Sequence, residues 1–175
     1  TLLLIYYFYY KIKKDPPRIN LGNSRFNNRI VYFKSIKSKT IYNLLKWYVE
    51  QIMEKLIHFY NIKYPIYPDS INLVKWETGD KLGEHADAFY LDGKPNYTPY
   101  RKYSSIVYLN EDFDGGTFQF TKGNCDEIKP ETGLLIAFTA GLDDSHKVNI
   151  VNSGIRYTLA CWFTDDSSKS QFKVF

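Results

Sequence analysis

A sheet-rich fold, an antiparallel sandwich or barrel fronted by one helix, is the class this sequence predicts, and three observations predict it. The aromatic content of 18% is mostly Tyr and Phe, residues that favour strands. From Ser70 onward, short apolar runs alternate with turn signals such as Thr78-Gly79-Asp80, Asp114-Gly115-Gly116 and Glu131-Thr132-Gly133, the texture of antiparallel β structure. Before that point, a stretch from about Thr40 to Tyr60 has helical rather than strand period.

Each element follows in order. Thr1 to Tyr10 is almost wholly apolar and is followed by Lys11, Lys13 and Lys14. Ten residues are too few to cross a bilayer, which takes roughly 20 in a helix. The segment reads as an edge or core strand, with the tail of a membrane anchor upstream of residue 1 as the alternative. Asp15-Pro16-Pro17 ends it, and residues 1–17 are set apart as a segment and linker. Residues 18–36 are polar and irregular, with room for short strands. In the helix, Ile41, Leu44, Leu45, Tyr48, Val49, Ile52, Leu56 and Phe59 share one broad face, and Thr40 is the expected N-cap. Pro65 and Pro68 close off the helical region, taken as 38–62. Strands are expected at 71–77, 104–109, 117–121, 134–139, 147–151 and 155–163, within a core spanning 70–165. One helix ahead of the strands suits an arrangement in which it supports one sheet.

Composition excludes several classes. At 175 residues the chain is long enough for one domain with a real core, and its 44% hydrophobic content excludes a disordered chain. The net charge of +4 is spread out, with Lys34, Lys37 and Lys39 as the nearest approach to a basic patch. That patch reads as a solvated surface, and with no recognition motif present no nucleic-acid partner is expected. Cys161 lies in an apolar run and reads as a buried strand thiol, Cys125 lies in a polar loop, and no CxxC occurs. A disulfide framework is therefore not expected.

Three features carry chemistry. In His85-Ala86-Asp87, a His and an acid two apart on an extended segment point to the same side and can share one metal. His146 follows Asp143-Asp144-Ser145 and precedes a strand, which makes two of the chain's three histidines strand-mouth residues. His58, the third, sits in the helix with no partner at ligand spacing. Two His and a carboxylate make the facial triad of non-haem Fe(II) oxygenases. Zinc is the rival metal, although no HExxH or general-base Glu accompanies the set. Arg156 comes ten residues after His146 in an otherwise apolar strand. A buried guanidinium needs an anion, and its planar fork suits a carboxylate; a structural salt bridge or an outward-facing residue is the alternative.

The stretch from His85 to Phe163 resembles the catalytic domain of the Fe(II)- and 2-oxoglutarate-dependent dioxygenases of the prolyl hydroxylase type, and within them the collagen prolyl 3-hydroxylase branch. The carriers are Tyr103-Ser104-Ser105-Ile106-Val107-Tyr108-Leu109-Asn110, Asp112-Phe113-Asp114-Gly115-Gly116-Thr117-Phe118, Glu131 through Phe138, His146-Lys147-Val148, and Gly154-Ile155-Arg156-Tyr157 through Trp162-Phe163-Thr164. The resemblance implies a double-stranded β-helix, or cupin-like jelly roll, over residues 18–175. It implies iron on His85, Asp87 and His146, with 2-oxoglutarate held by Arg156, Tyr108, Ile106 and Trp162. It implies O₂ and ascorbate as further requirements. It also implies hydroxylation of a peptidyl residue, proline in a collagen-like or Pro-rich chain, coupled to decarboxylation of 2-oxoglutarate to succinate. A lysyl or small-molecule hydroxylase, or a non-catalytic jelly-roll binding domain, are the alternatives. Gly115-Gly116 is expected to make a tight turn. Trp76 departs from a tyrosine of many relatives, which points to an altered surrounding of the iron, and the loop Leu91 to Tyr100 follows no relative. Tyr97, Tyr100 and Tyr103 would either form an aromatic groove for an extended peptide or pack as hairpin residues. The sequon Asn96-Tyr97-Thr98 and the resemblance together point to the endoplasmic reticulum lumen, with the cytoplasm as the alternative.

Overall fold

The fold grows from one long strand. In the computed structural model, which describes residues 29–123 and 125–172, Val151–Thr164 runs unbroken for 14 residues as β10. Its odd-numbered side chains, Tyr157, Leu159, Cys161 and Phe163, are buried in one apolar cluster, whereas Ala160 and Trp162 belong to another. Strand alternation therefore gives β10 two buried faces, as a central strand requires.

The strands in chain order are β1 (Ile30–Tyr32), β2 (Tyr67–Glu77), β3 (Leu82–His85), β4 (Arg101–Tyr108), β5 (Phe113–Gly115), β6 (Phe118–Phe120), β7 (Glu127–Ile128), β8 (Leu135–Thr139), β9 (His146–Val148) and β10. The major sheet has the order β1-β2-β10-β4-β8, with β5 pairing the start of β10, and the minor sheet has the order β3-β9-β6-β7. The described ladders are all antiparallel. Phe118 and Phe120 of the minor sheet pack on Tyr108, Ile136 and Phe138 of the major one, and Val148 packs on Val74, Trp76 and Ala160. Two sheets face to face make the jelly roll that the resemblance implied.

The helix α1 (Lys39–Phe59) covers the other face of the major sheet. Ile41, Leu45, Val49, Ile52 and Leu56 are its buried stripe, spaced three and four apart as a helix on a sheet requires. They meet Ile71, Leu73, Val107 and the odd-numbered residues of β10. Two expectations are corrected here. The N-cap is Ser38 rather than Thr40: Ser38 is extended and its hydroxyl accepts from the Ile41 amide at 3.4 Å, while Thr40 already lies inside the helix. Phe59 is 78% exposed, because it is the last helical residue and the chain turns away from the sheet there. His58 is exposed.

Other differences have physical reasons. β2 begins at Tyr67, earlier than expected, because Pro68 sits at an irregularity where Phe163 pairs with Pro68 and Trp162 with Ser70, leaving Asp69 between them. A bulge tolerates a residue without an amide hydrogen. The expected strands 147–151 and 155–163 separate differently: β9 stops at Val148, and β10 runs through Gly154. Gly154 has φ +79°, and a Cβ there would lie 2.9 Å from the Asp112 carbonyl oxygen, so only glycine lets β5 lie this close to β10. β3, β5 and β7 are strands of four residues or fewer and were not expected. Cys161 is buried and Cys125 exposed, both as free thiols. The N-terminal apolar segment, the Pro16-Pro17 break and residues 18–28 lie outside the described residues. No helix among the described residues is long and apolar enough to cross a membrane.

Leu45→Ala should lower stability by about 2–5 kcal/mol, because Leu45 is 1% exposed at the centre of the helix–sheet contact. Urea unfolding would register this as a lower midpoint at unchanged slope.

Candidate active site

β3 and β9 pair so that His85 lies directly opposite His146 across the ladder. Their rings come within 4.3 Å of each other. Asp87, two residues past His85, turns to the same side, and one ligand atom from each of the three residues lies within 4.8 Å of the other two. The His85 Nε2 to Asp87 Oδ1 distance is 3.7 Å.

The imidazoles are aimed from behind. The Nδ1 of His85 lies 2.9 Å from the Gly83 carbonyl oxygen, and that of His146 lies 2.9 Å from the Asp144 carbonyl oxygen. A carbonyl only accepts, so in the neutral rings Nδ1 carries the proton and Nε2 offers its lone pair. His146 is 3% exposed, stacked on Phe118 at 4.8 Å and edge-on to Phe138 at 4.6 Å. Burial, with His85 adding to it, pushes its pKa down to about 4, which keeps the ring in the form that binds metal. Asp144 is itself fixed, its carboxylate accepting from the Thr139 amide at 2.8 Å.

The same residues open onto a cavity of about 250 Å³ between the two sheets. Arg156, Ile106 and Trp162 line it together with His85, Asp87 and His146. Arg156 is fully buried, and none of its three guanidinium nitrogens has a hydrogen-bond partner among the described residues. Its guanidinium lies 4.9 Å from the ring of Trp76 and 5.0 Å from that of Tyr108. Burial pulls its pKa below the ordinary value, with Tyr108 opposing the shift. Two devices place it. The Asn110 amide donates to the Ile155 carbonyl at 2.7 Å and its oxygen accepts from the Tyr157 amide at 2.7 Å, pinning the backbone on both sides. Gly116, with φ +59°, leaves the space for the side chain, since a Cβ there would lie 2.9 Å from the Arg156 Cδ.

Tyr108 is fully buried beside Arg156, and its hydroxyl has no hydrogen-bond partner among the described residues. Trp76 pairs with Arg156 across the β2–β10 ladder and carries the guanidinium on its face, and it lines the cavity with the triad. Trp162, expected to line the pocket, lies in the cavity wall with Ser104. Trp162 lies six residues beyond Arg156 on β10, about 20 Å along an extended strand. Its Nε1 and the Oγ of its cross-strand partner Ser104 are both buried without a partner. Arg101 lies 4.5 Å from the Trp162 ring and donates to Asp69 at 3.1 Å. Burial, more than any neighbour, pushes the Asp69 pKa up. The three tyrosines make separate contacts instead of one groove. Tyr97 meets Tyr90 edge-on at 6.0 Å, Tyr103 meets the Tyr64 hydroxyl at 3.0 Å, and Tyr100 lies under Lys169 at 5.2 Å.

Two imidazoles and a carboxylate on one side of a site suit a first-row divalent metal with positions left for other ligands. The unpartnered guanidinium and phenol suit a carboxylate. The donor set and the buried cation thus fit an iron and a dicarboxylate acid. Arg156→Met should raise the stability of the ligand-free protein by about 1–4 kcal/mol, because it removes a buried charge that no residue neutralises; a thermal melt without ligand would measure it.

The 2OG-Fe(II) oxygenase superfamily model matches residues 71–164, more than half of the chain. Prolyl 3-hydroxylase 1 of Rattus norvegicus is 42% identical over 81 residues, which are 44% of this chain and 11% of that protein. The chain thus spans only a small part of that relative. Among solved structures, a prolyl-4-hydroxylase of Pseudomonas putida superposes with a TM-score of 0.68 at 17% identity, over 93% of this chain and 84% of that one. A prolyl hydroxylase of Trichoplax adhaerens, solved in complex with a hypoxia inducible factor oxygen degradation domain peptide fragment, superposes with a TM-score of 0.60 at 18% identity, over 80% of this chain and 64% of that one. By the extent of the family match, this chain belongs to the 2OG-Fe(II) oxygenase superfamily.

Proposed function

We propose that His85, Asp87 and His146 hold Fe(II), that Arg156 holds the distal carboxylate of 2-oxoglutarate, and that the substrate is a peptidyl proline in a Pro-rich or collagen-like chain. The observation that carries the reading is the convergence of three ligand atoms in the same cavity as a fully buried guanidinium that no side chain among the described residues neutralises. When bound, iron with 2-oxoglutarate and O₂ supplies an oxidative decarboxylation to succinate and CO₂ coupled to hydroxylation of a C–H bond.

The residues of the chain do the rest. His85 and His146 keep their protons on Nδ1, donated to the Gly83 and Asp144 carbonyls, and present Nε2. Arg156 offers a bidentate fork whose orientation is set by Trp76 and Tyr108, and the Tyr108 hydroxyl provides a further donor. That fixes the acid end to end before reaction. Val74, Ile106, Phe138 and Val148 wall the cavity with apolar surface, which excludes water from the reacting centre.

A peptide substrate is supported by the likeness to a prolyl 3-hydroxylase. It is also supported by the unpartnered Trp162 Nε1 and Ser104 Oγ, polar groups suited to a peptide amide or carbonyl. Ascorbate as a reductant, a domain over residues 18–175 and a lumenal site of action in the secretory pathway belong to the same proposal, supported by the same likeness.

Succinate release should require both Fe(II) and 2-oxoglutarate and should rise with a Pro-rich peptide; no stimulation by such peptides would remove proline as the target. His146→Ala should abolish both metal retention and succinate formation, and retained turnover would remove it from the ligand set. Arg156→Ala should raise the KM for 2-oxoglutarate on the order of 10²-fold and leave metal affinity unchanged, measured by steady-state kinetics beside a metal titration.

A further inference from the structure

Asp87 is held differently from its two neighbours in the site. His85 and His146 are ladder residues, locked opposite each other by β3–β9 pairing. Asp87 lies two residues past the end of β3, outside any strand. Nothing in a sheet sets its backbone, yet its carboxylate must meet the imidazoles within a few tenths of an ångström to share a metal with them.

The peptide group joining Asp87 to Ala88 is pinned at both poles. Its N–H donates to the Ala140 carbonyl at 2.9 Å, and the Ala140 amide donates in turn to Lys102 of β4 at 2.9 Å. Its carbonyl oxygen accepts from two side chains at once, Asn96 Nδ2 at 3.1 Å and Thr98 Oγ1 at 3.0 Å. These donors are themselves locked. Asn96 Oδ1 accepts from the Thr98 amide at 2.7 Å, and the Asn96 amide donates to the Ala88 carbonyl at 3.2 Å. Between them the chain closes through a Phe89–Pro95 bridge and a Tyr90 to Lys94 hydrogen bond of 2.8 Å. The loop after Asp87 thus returns to grip the residue it left.

We propose that Asn96 and Thr98 are positioning residues that hold the Asp87 carboxylate in register with His85 and His146. The inference rests on the reading of those three residues as the metal centre. It gives the Asn96-Tyr97-Thr98 triplet an internal use: both polar side chains are half-buried and turned to Asp87, while Tyr97 between them is 90% exposed. The same loop therefore presents an aromatic side chain outward and fixes a metal-site residue inward.

The test is a Co(II) titration of the full chain, read by d–d absorption, with thermal melts to verify folding. Wild type should bind one Co(II) and His146→Ala should not; absence of a His146-dependent site would overturn the metal reading, and with it this inference. Thr98→Val keeps the side-chain shape and removes the hydroxyl, and should weaken Co(II) affinity about tenfold and change the band shape. Thr98→Ser, which keeps the donor, should restore both. Asn96→Ala is an independent arm and should weaken affinity likewise, whereas Tyr97→Ala should not. Wild-type affinity in either folded bracket variant would overturn the inference and leave the metal reading intact. Loss of affinity that Thr98→Ser fails to restore would mark a merely structural role, and would overturn it equally.

Discussion

A guanidinium with no exposed surface and no hydrogen-bond partner among the described residues organises this molecule. Removing Arg156 from water carries a penalty that no carboxylate of the described residues offsets. Its neighbours only soften that penalty: the faces of Trp76 and Tyr108 offer cation–π contacts. The surrounding structure is arranged to keep the side chain there. Gly116 makes room for the Cδ, Asn110 clamps the backbone before and after it, and β2 places Trp76 directly opposite. A strained, unsatisfied group persists only where its surroundings over-determine it, and such groups gather at functional sites. Under the proposed function, the cation is then stored complementarity, released when an anionic co-substrate arrives.

The triad obeys a different constraint. Two of its members are cross-strand neighbours whose spacing is that of an antiparallel ladder. The third comes from outside the sheet and is gripped by its own following loop. Each imidazole is tied through Nδ1 to a carbonyl two residues upstream, so both rings take their direction from local backbone as well as from the sheet. Phe118 and Phe138 then bury His146 and favour its neutral form. The geometry of the three side chains and the neutral form of His146 thus come from the same packing.

Much of this was legible from particular residues. The period of α1 set its buried stripe, and the apolar run around Cys161 marked a central strand. His85-Ala86-Asp87, His146 and Arg156 were visible as a spaced set, and the structure brings them around one cavity. What was not legible has physical causes. In the sequence Pro68 marks only the close of the helical region, and it also occupies a bulge within β2. β3, β5 and β7 are too short to show a period. Thr40 and Ser38 are equally good caps by type, and only the extended backbone at Ser38 decides between them. The spacing of Tyr97, Tyr100 and Tyr103 suited either one groove or hairpin packing, and each finds a partner from a different part of the chain.

By itself the sequence determined the local terms: where side chains alternate, where the chain must turn, and which residues carry ligand atoms or a charge. Those follow from backbone geometry and residue chemistry over a few neighbours. Only the tertiary structure decided that Trp76 packs on Arg156, that Tyr108 lies buried beside the guanidinium, and that Asn96 and Thr98 grip the Asp87 backbone. Each of those contacts joins segments whose relation is set by strand order and loop closure, which no local pattern encodes.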